Sequence, residues 1–344
     1  MGPMRRLLPV RSYRMTVLLI VLVLAVWANL GTAPNSPFVP STKPPPRYTD
    51  VRLYADVVSE VRQGKNYYET STRLQRTHNY PVRPFFTVRP PLLAQASAWF
   101  GDLLWPGCVL LTLCSLVWLH SLAQRSILER IAALFALLAS GLPLVLSPFR
   151  GMHEVWGGLF AALALGLDAA RLSVVPAMLA VLVRELNFPL LGLFVFGRRH
   201  RISALVGIVI CAAALLIHRQ AVLAWTLPTD LSSQGWLGLR GPAGWVDDLS
   251  RNTVLQFLPR PLAALLAFAP LLGWAELGRF RALAWFSWMF AMVAVFARPD
   301  NTYWCLGVLP VWFVGLAFVT AFLHSLARRA DRVTASPEPV LSTT

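Results

Sequence analysis

Ten apolar stretches, most of them near the length of a bilayer crossing, leave this chain few ways to fold. They run from Met15 to Leu30 and then over 103–122, 130–147, 155–170, 172–183, 186–197, 202–222, 261–277, 282–297 and 303–326. In hydrocarbon, backbone N–H and C=O groups need partners within their own segment, so runs of this kind fold as helices. The expected fold class is therefore all-α, a polytopic integral membrane protein with about ten transmembrane helices. A further short run at 91–101 is expected to lie in the interface. Only 14% of the residues are charged and 56% are hydrophobic, which excludes an ordinary soluble domain. The net charge of +15 is scattered between the apolar runs, so anionic membrane lipid or lipid phosphate is the expected partner, and not nucleic acid. Lysine occurs only at Lys43 and Lys65; the remaining positive charge is guanidinium, a bidentate phosphate ligand, although a GC-rich bacterial genome produces the same bias.

Arg5, Arg6, Arg11 and Arg14 precede the first run, which reads as an uncleaved signal anchor with its basic end in the cytoplasm. Ten crossings return the C-terminus to that side. Arg198-Arg199-His200-Arg201 and Arg328-Arg329 then mark inner segments, and 327–344 is a cytoplasmic tail. Residues 1–326 form one transmembrane domain, with a long first outer loop over 34–90 and a second over 224–260. The first loop opens with Pro34, Pro37, Pro40 and Pro44-Pro45-Pro46, an extended linker. Asp50 to Arg62 reads as a helix, since Val51, Tyr54, Val57, Val58 and Val61 share one face; Thr49 or Asp50 caps it and Gly64 ends it. The runs 172–183 and 186–197 are too short for two full crossings. Their junction, Arg184-Glu185, predicts two short helices or a broken hairpin.

In this topology the outer face collects most of the carboxylates, several at the ends of apolar runs. Four clusters combine acid, base and aromatic groups: Asp50 with Tyr54; Phe149-Arg150-Gly151-Met152-His153-Glu154; Arg184-Glu185; and Arg298-Pro299-Asp300-Asn301-Thr302-Tyr303-Trp304. A carboxylate at the membrane surface can deprotonate an acceptor hydroxyl, and Arg, His and Tyr can hold a lipid phosphate as charge develops on it. Each cluster also has a structural reading. Asp50 serves as a helix cap, His153-Glu154 opens a helix whose dipole favours an acid, Arg184-Glu185 is a buried ion pair, and Arg298 to Trp304 is an interfacial turn. Asp247-Asp248 and the dispersed His78, His200, His218 and His324 lack metal-ligand spacing, so no metal is expected. Neither is a cofactor, since no Gly-rich phosphate loop is present. Cys108, Cys114, Cys211 and Cys305 read as small buried apolar residues, with a Cys108–Cys305 disulfide left open.

Asp50-x3-Tyr54, Gly64, Tyr67-Tyr68 and Arg89-Pro90-Pro91 ahead of the next apolar stretch resemble the opening of the GT-C superfamily of polytopic glycosyltransferases. The pattern is similar in particular to bacterial polyprenyl-phosphate-mannose-type transferases. It covers about 40 residues. The resemblance implies an inner-membrane enzyme with cytoplasmic termini and a periplasmic active site. It implies inverting transfer of a hexose or pentose from a polyprenyl phosphate sugar to a glycan or lipid acceptor, with Asp50 as general base. Tyr54, Arg89, His153, Arg184 and Arg298 are then candidates for phosphate or sugar contacts, and Glu154, Glu185 and Asp300 for hydroxyl binding. The Pro-rich stretch between the anchor and Asp50 departs from the pattern and leaves Asp56 and Glu60 as competing bases. Two other classes stay open: a transporter or lipid flippase, which the broken element suits, and a non-catalytic envelope assembly protein.

Overall fold

The computed structural model describes residues 10–31, 36–38, 48–168 and 171–334. Arg5, Arg6, Thr32-Ala33, the Pro-rich linker apart from Pro37, and 335–344 lie outside the described residues. Within them every regular element is helical, and the one β-bridge, Arg83 to Ser232, is isolated. In order they are α1 (Val10–Leu30), α2 (Asp50–Arg62), α3 (Tyr67–Thr77), α4 (Leu92–Phe100), α5 (Leu104–Ser121), α6 (Ile127–Leu146), α7 (His153–Gly166), α8 (Val174–Val183), α9 (Phe188–Leu193), α10 (Arg201–Ala224), α11 (Gly241–Arg251), α12 (Arg260–Phe268), α13 (Pro270–Leu277), α14 (Phe280–Ala291), α15 (Leu309–Trp312) and α16 (Val319–Thr334).

Six segments are long and apolar enough to cross a membrane: Ser12–Leu30, Leu104–Ser121, Ile127–Leu146, Arg201–Ala224, Arg260–Leu277 and Leu309–Arg328. The chain is thus a helical, membrane-embedded protein, with six such segments where ten were expected. The other four apolar runs fold as shorter pieces. α7 has 14 residues, α8 has 10, α9 and its terminal turn end at Phe196, and α14 passes into a π-turn over Met292–Phe296. Sequence hydropathy counts apolar residues whether they face lipid or protein. These four are short because they pack inside the bundle, where α7 is buried almost throughout.

The helices set up a bundle with two chemically different ends. Near the start of α1, Arg14 pairs with Glu276 at 2.9 Å, while at its far end the Ala28 carbonyl accepts from Arg260 at 3.0 Å. Arg279 beside Ser121 and Arg281 beside Asp168 belong to the Glu276 end. Asp50, Arg89, His153 and Arg184 gather at the opposite end. Between them, indole N–H groups donate to helix carbonyls: Trp118 to Ala162 at 3.0 Å, Trp274 to Trp312 at 2.9 Å and Trp312 to Ala267 at 3.1 Å. Each buries a large apolar body while satisfying its polar atom. All four cysteines are free, so the Cys108–Cys305 pairing is absent; Cys305 is buried beside the Asn252 amide.

Two glycines decide how the site end closes. A Cβ at Gly157 would meet the Asn187 amide at 2.5 Å, and one at Gly158 would meet the Gly307 carbonyl at 2.7 Å. The bare backbone of α7 therefore lets both the 184–187 break and the 304–307 turn come against it, one turn below His153 and Glu154.

Candidate functional site

Asp50 opens α2, but the cap is Thr49, whose hydroxyl accepts from the Arg52 N–H at 3.4 Å. That leaves the Asp50 carboxylate free of the capping role that its position allowed. Counting along the helix, Asp50 shares its stripe with Leu53, Val57 and Val61, all buried, so the carboxylate sits at the open end of the packed face. Tyr80 donates to it, and burial together with this carboxylate pushes the Tyr80 phenol above its ordinary pKa. The competing acids are occupied elsewhere. Asp56 accepts from the Tyr48 hydroxyl at 2.8 Å and pairs with Arg52 at 3.1 Å; Glu60 pairs with Lys65 at 3.3 Å and with Arg73. Asp50 forms no ion pair among the described residues.

One turn further, the Tyr54 hydroxyl accepts from Arg89 Nε at 3.1 Å, and its ring meets His153 edge-on at 4.8 Å. Burial raises the Tyr54 phenol well above its ordinary range, so it stays protonated. The Arg89 carbonyl is fixed by the Tyr67 hydroxyl at 2.6 Å. Arg89 itself lies 3.9 Å from Glu154 Oε1 and 3.8 Å from Glu185 Oε1. Burial works against its charge, but Tyr54, Glu154, Tyr303 and Glu185 outweigh it and keep the guanidinium protonated.

Arg184 closes the cluster, donating from Nε to Glu154 Oε1 at 2.7 Å and from Nη1 to Glu185 Oε1. It is extended where α8 ends, and its own backbone carbonyl accepts from the Asn187 amide at 3.1 Å. Its guanidinium also lies 5.9 Å from the Trp304 ring centre. Two arginines and two glutamates therefore form a buried, charge-balanced quartet drawn from four separate segments. Each glutamate uses Oε1. Both Oε2 atoms are buried without a hydrogen-bond partner, and the His153 ring nitrogens have none in good geometry, although the Pro90 carbonyl lies beside the imidazole. A buried polar atom left unpaired costs about 1–3 kcal/mol. Buried atoms of this kind are characteristic of places that receive a ligand or water.

Beside the quartet runs a cleft of about 290 Å³ lined by α2, α4, the start of α5 and the 148–151 turn. Its walls are mainly apolar, with Arg89 and His153 at the deep end and Asp102 and Arg150 at the exposed end. Arg150 grips Asp102 from Nε at 2.7 Å and from Nη2 at 3.1 Å; that hydrogen bond holds the Asp102 carboxyl below its usual range.

Of the residues singled out in the sequence, Asp50, Tyr54, Arg89, His153, Glu154, Arg184 and Glu185 fall in one region. Arg298 and Asp300 do not join by contact: Arg298 donates to Gln234 at 3.0 Å, and Asp300 is exposed. The neighbouring Tyr303 does join, coupled electrostatically to Asp50, Arg89 and Glu154, and Trp304 backs Arg184. Both stand inside the Arg298–Trp304 motif, so the signal was present on the wrong side chains. Tyr80 and Asn187 carried no signal, since their roles depend on contacts to Asp50 and to the 184–187 break. No group of three or more His, Cys, Asp or Glu among the described residues is placed to hold a metal ion.

Comparison with protein-family profiles, with curated proteins and with solved structures gives no match.

Proposed function

We propose that the protein is a GT-C-like glycosyltransferase of a bacterial inner membrane, built from ten apolar helical segments, with both termini cytoplasmic and the Asp50 end facing the periplasm. It takes a hexose or pentose from a polyprenyl phosphate sugar and passes it to a glycan or lipid acceptor. The observation that carries this reading is a carboxylate without an ion-pair partner, Asp50, beside a buried Arg–Glu quartet and an apolar cleft. A charged lipid donor needs such a combination of basic, acidic and apolar surface.

In the proposed step Asp50 takes the proton of the acceptor hydroxyl, whose oxygen forms the new bond to the anomeric carbon. The bond from that carbon to the phosphate oxygen breaks on the opposite face, and the electron pair leaves with the polyprenyl phosphate. The configuration inverts. Arg89, with the Tyr54 hydroxyl on its Nε, steadies the charge on the departing phosphate. His153 lies beside Tyr54, and the unpaired oxygens of Glu154 and Glu185 accept sugar hydroxyls. Arg184 holds both glutamates in place.

The test is release of free polyprenyl phosphate from labelled polyprenyl phosphate hexoses and pentoses by the purified protein in lipid, with membrane extract as acceptor source. Wild type releases it, and Asp50→Asn slows release by about 10²–10⁴-fold, the range of a general base. A folded Asp50→Asn protein working at the normal rate would sink the base assignment. The helix break at Arg184–Asn187 beside buried charges is also a transporter feature. That reading predicts movement of a lipid-linked glycan across the membrane with no new glycosidic bond.

A further inference from the structure

We infer that the cleft between α2 and α4 is a lateral binding site for a single isoprenoid chain and that it reads only the stretch nearest the phosphate. Its walls come from Leu53, Val57, Val58, Leu93, Ala94 and Leu103. Exposure grades along it. At the deep end the side chains of Arg89 and Glu154 are 12% and 2% exposed; at the other end those of Arg150 and Asp102 are 30% and 57% exposed. The cleft is therefore charged at its floor and opens past the Arg150–Asp102 pair.

What flanks that mouth identifies its surroundings. Trp99, Phe100 and Trp105 bracket Asp102 in the chain and are 84%, 69% and 77% exposed. Exposed indole rings at the ends of apolar helices belong at the membrane–water interface. The mouth thus opens at the level of the lipid headgroups, and the occupant it fits is an amphiphile already in that leaflet. Its phosphate goes to Arg89, and its chain lies along the apolar walls and out into the bilayer. The Arg150–Asp102 pair is partly exposed and so weak enough to part as the chain slides in.

Volume sets how much chain is read. A cavity of about 150 Å³ admits one benzene, so 290 Å³ seats roughly ten to twelve carbons, about two isoprene units. Everything beyond them stays in lipid, and the protein is indifferent to total chain length. The glycosyltransferase reading supplies only the phosphate end of this argument.

The experiment uses the full-length protein in nanodiscs and two polyprenyl phosphate probes, one with a photoreactive diazirine in the second isoprene unit and one with it in the sixth. Cross-linked residues are mapped by mass spectrometry. The expected result is labelling of α2 and α4 cleft residues by the second-unit probe alone. Filling the cleft by Ala94→Trp, or by the milder Val58→Phe if the first variant fails to fold, cuts that labelling at least tenfold. Equal labelling of the cleft by both probes, or by neither, overturns the inference. So does equal labelling by a diazirine phosphatidylglycerol, which would make the occupant ordinary membrane lipid. Cleft labelling without sugar transfer would leave the lipid site standing and remove the glycosyltransferase reading; sugar transfer without cleft labelling would do the reverse.

Discussion

At the Glu276 end of the bundle, charge is used to fasten helices together. Glu276 pairs with Arg14 and accepts from Ser325 at 3.3 Å, Asp168 pairs with Arg281, and Glu129 closes a capping box with Ser126. No carboxylate oxygen there is buried without a partner. At the Asp50 end the same residue types are arranged differently. Glu154 and Glu185 share Arg184, each leaves its second oxygen buried and unpaired, and Asp50 has a tyrosine in place of a cation. A structural ion pair satisfies its own atoms, whereas a binding site holds some of them for something else. Electrostatic content alone does not separate the two ends; the unpaired atoms do.

The sharpest way to break this contrast is to remove one arginine from each end. Arg184→Leu strands two buried carboxylates and is expected to cost about 3–5 kcal/mol of stability, with sugar transfer lost. Arg281→Leu removes a partly exposed pair and is expected to cost about 1 kcal/mol or less while transfer continues. Unfolding in nanodiscs and polyprenyl phosphate release measure both. Equal losses of activity would show that the Asp50 end is no more functional than the other.

Next in size is the glycine contact that brings the site together. Gly158→Ala places a methyl against the Gly307 carbonyl and is expected to cost about 1–3 kcal/mol and to displace Tyr303. Gly192→Ala, where a Cβ meets nothing within 4 Å, is the matched control and is expected to be neutral or slightly stabilising. If the two variants unfold together, close approach at Gly158 does not hold the site.

The smallest expected effect concerns the outer loops that frame Asp50. Asp230 is buried, which raises its carboxyl pKa, but Arg76 and the Leu227 N–H more than offset this and the net shift is downward. A depressed folded-state pKa contributes stability that is full above the unfolded value of about 3.9 and is lost as pH falls through the folded one. Hydrogen exchange of the α3 and 226–233 amides is therefore expected to speed up below about pH 4. In Arg76→Gln that acid limb is expected to move to higher pH, with no change at the Glu276 end. An unchanged limb would show that this pair does not anchor the loops.

Much of the arrangement was legible in order along the chain. The period of Val57 and Val61 gives α2, the Arg184-Glu185 interruption gives the break between α8 and α9, and acids beside apolar runs point to Asp50, Glu154 and Glu185. The choice among Asp50, Asp56 and Glu60 was not legible, because all three lie on one amphipathic helix. It depends on Tyr48, Lys65 and Arg73 engaging two of them from outside or beyond the helix. Arg298 and Asp300 were drawn in by their composition, yet the turn presents Tyr303 and Trp304 to the site instead.

Local chemistry is enough to make this chain helical and membrane-embedded, since apolar runs in hydrocarbon have no other way to satisfy their backbones. It also placed charged residues at helix ends, where burial costs least. Tertiary structure alone decided that four distant segments would share one buried quartet, that α7, α8, α9 and α14 would be short, and that a cleft would open beside Arg89. Those outcomes rest on close approaches such as Gly157 to Asn187 and Gly158 to Gly307. Such contacts join residues far apart in the chain, and no periodicity or spacing within a single segment encodes them.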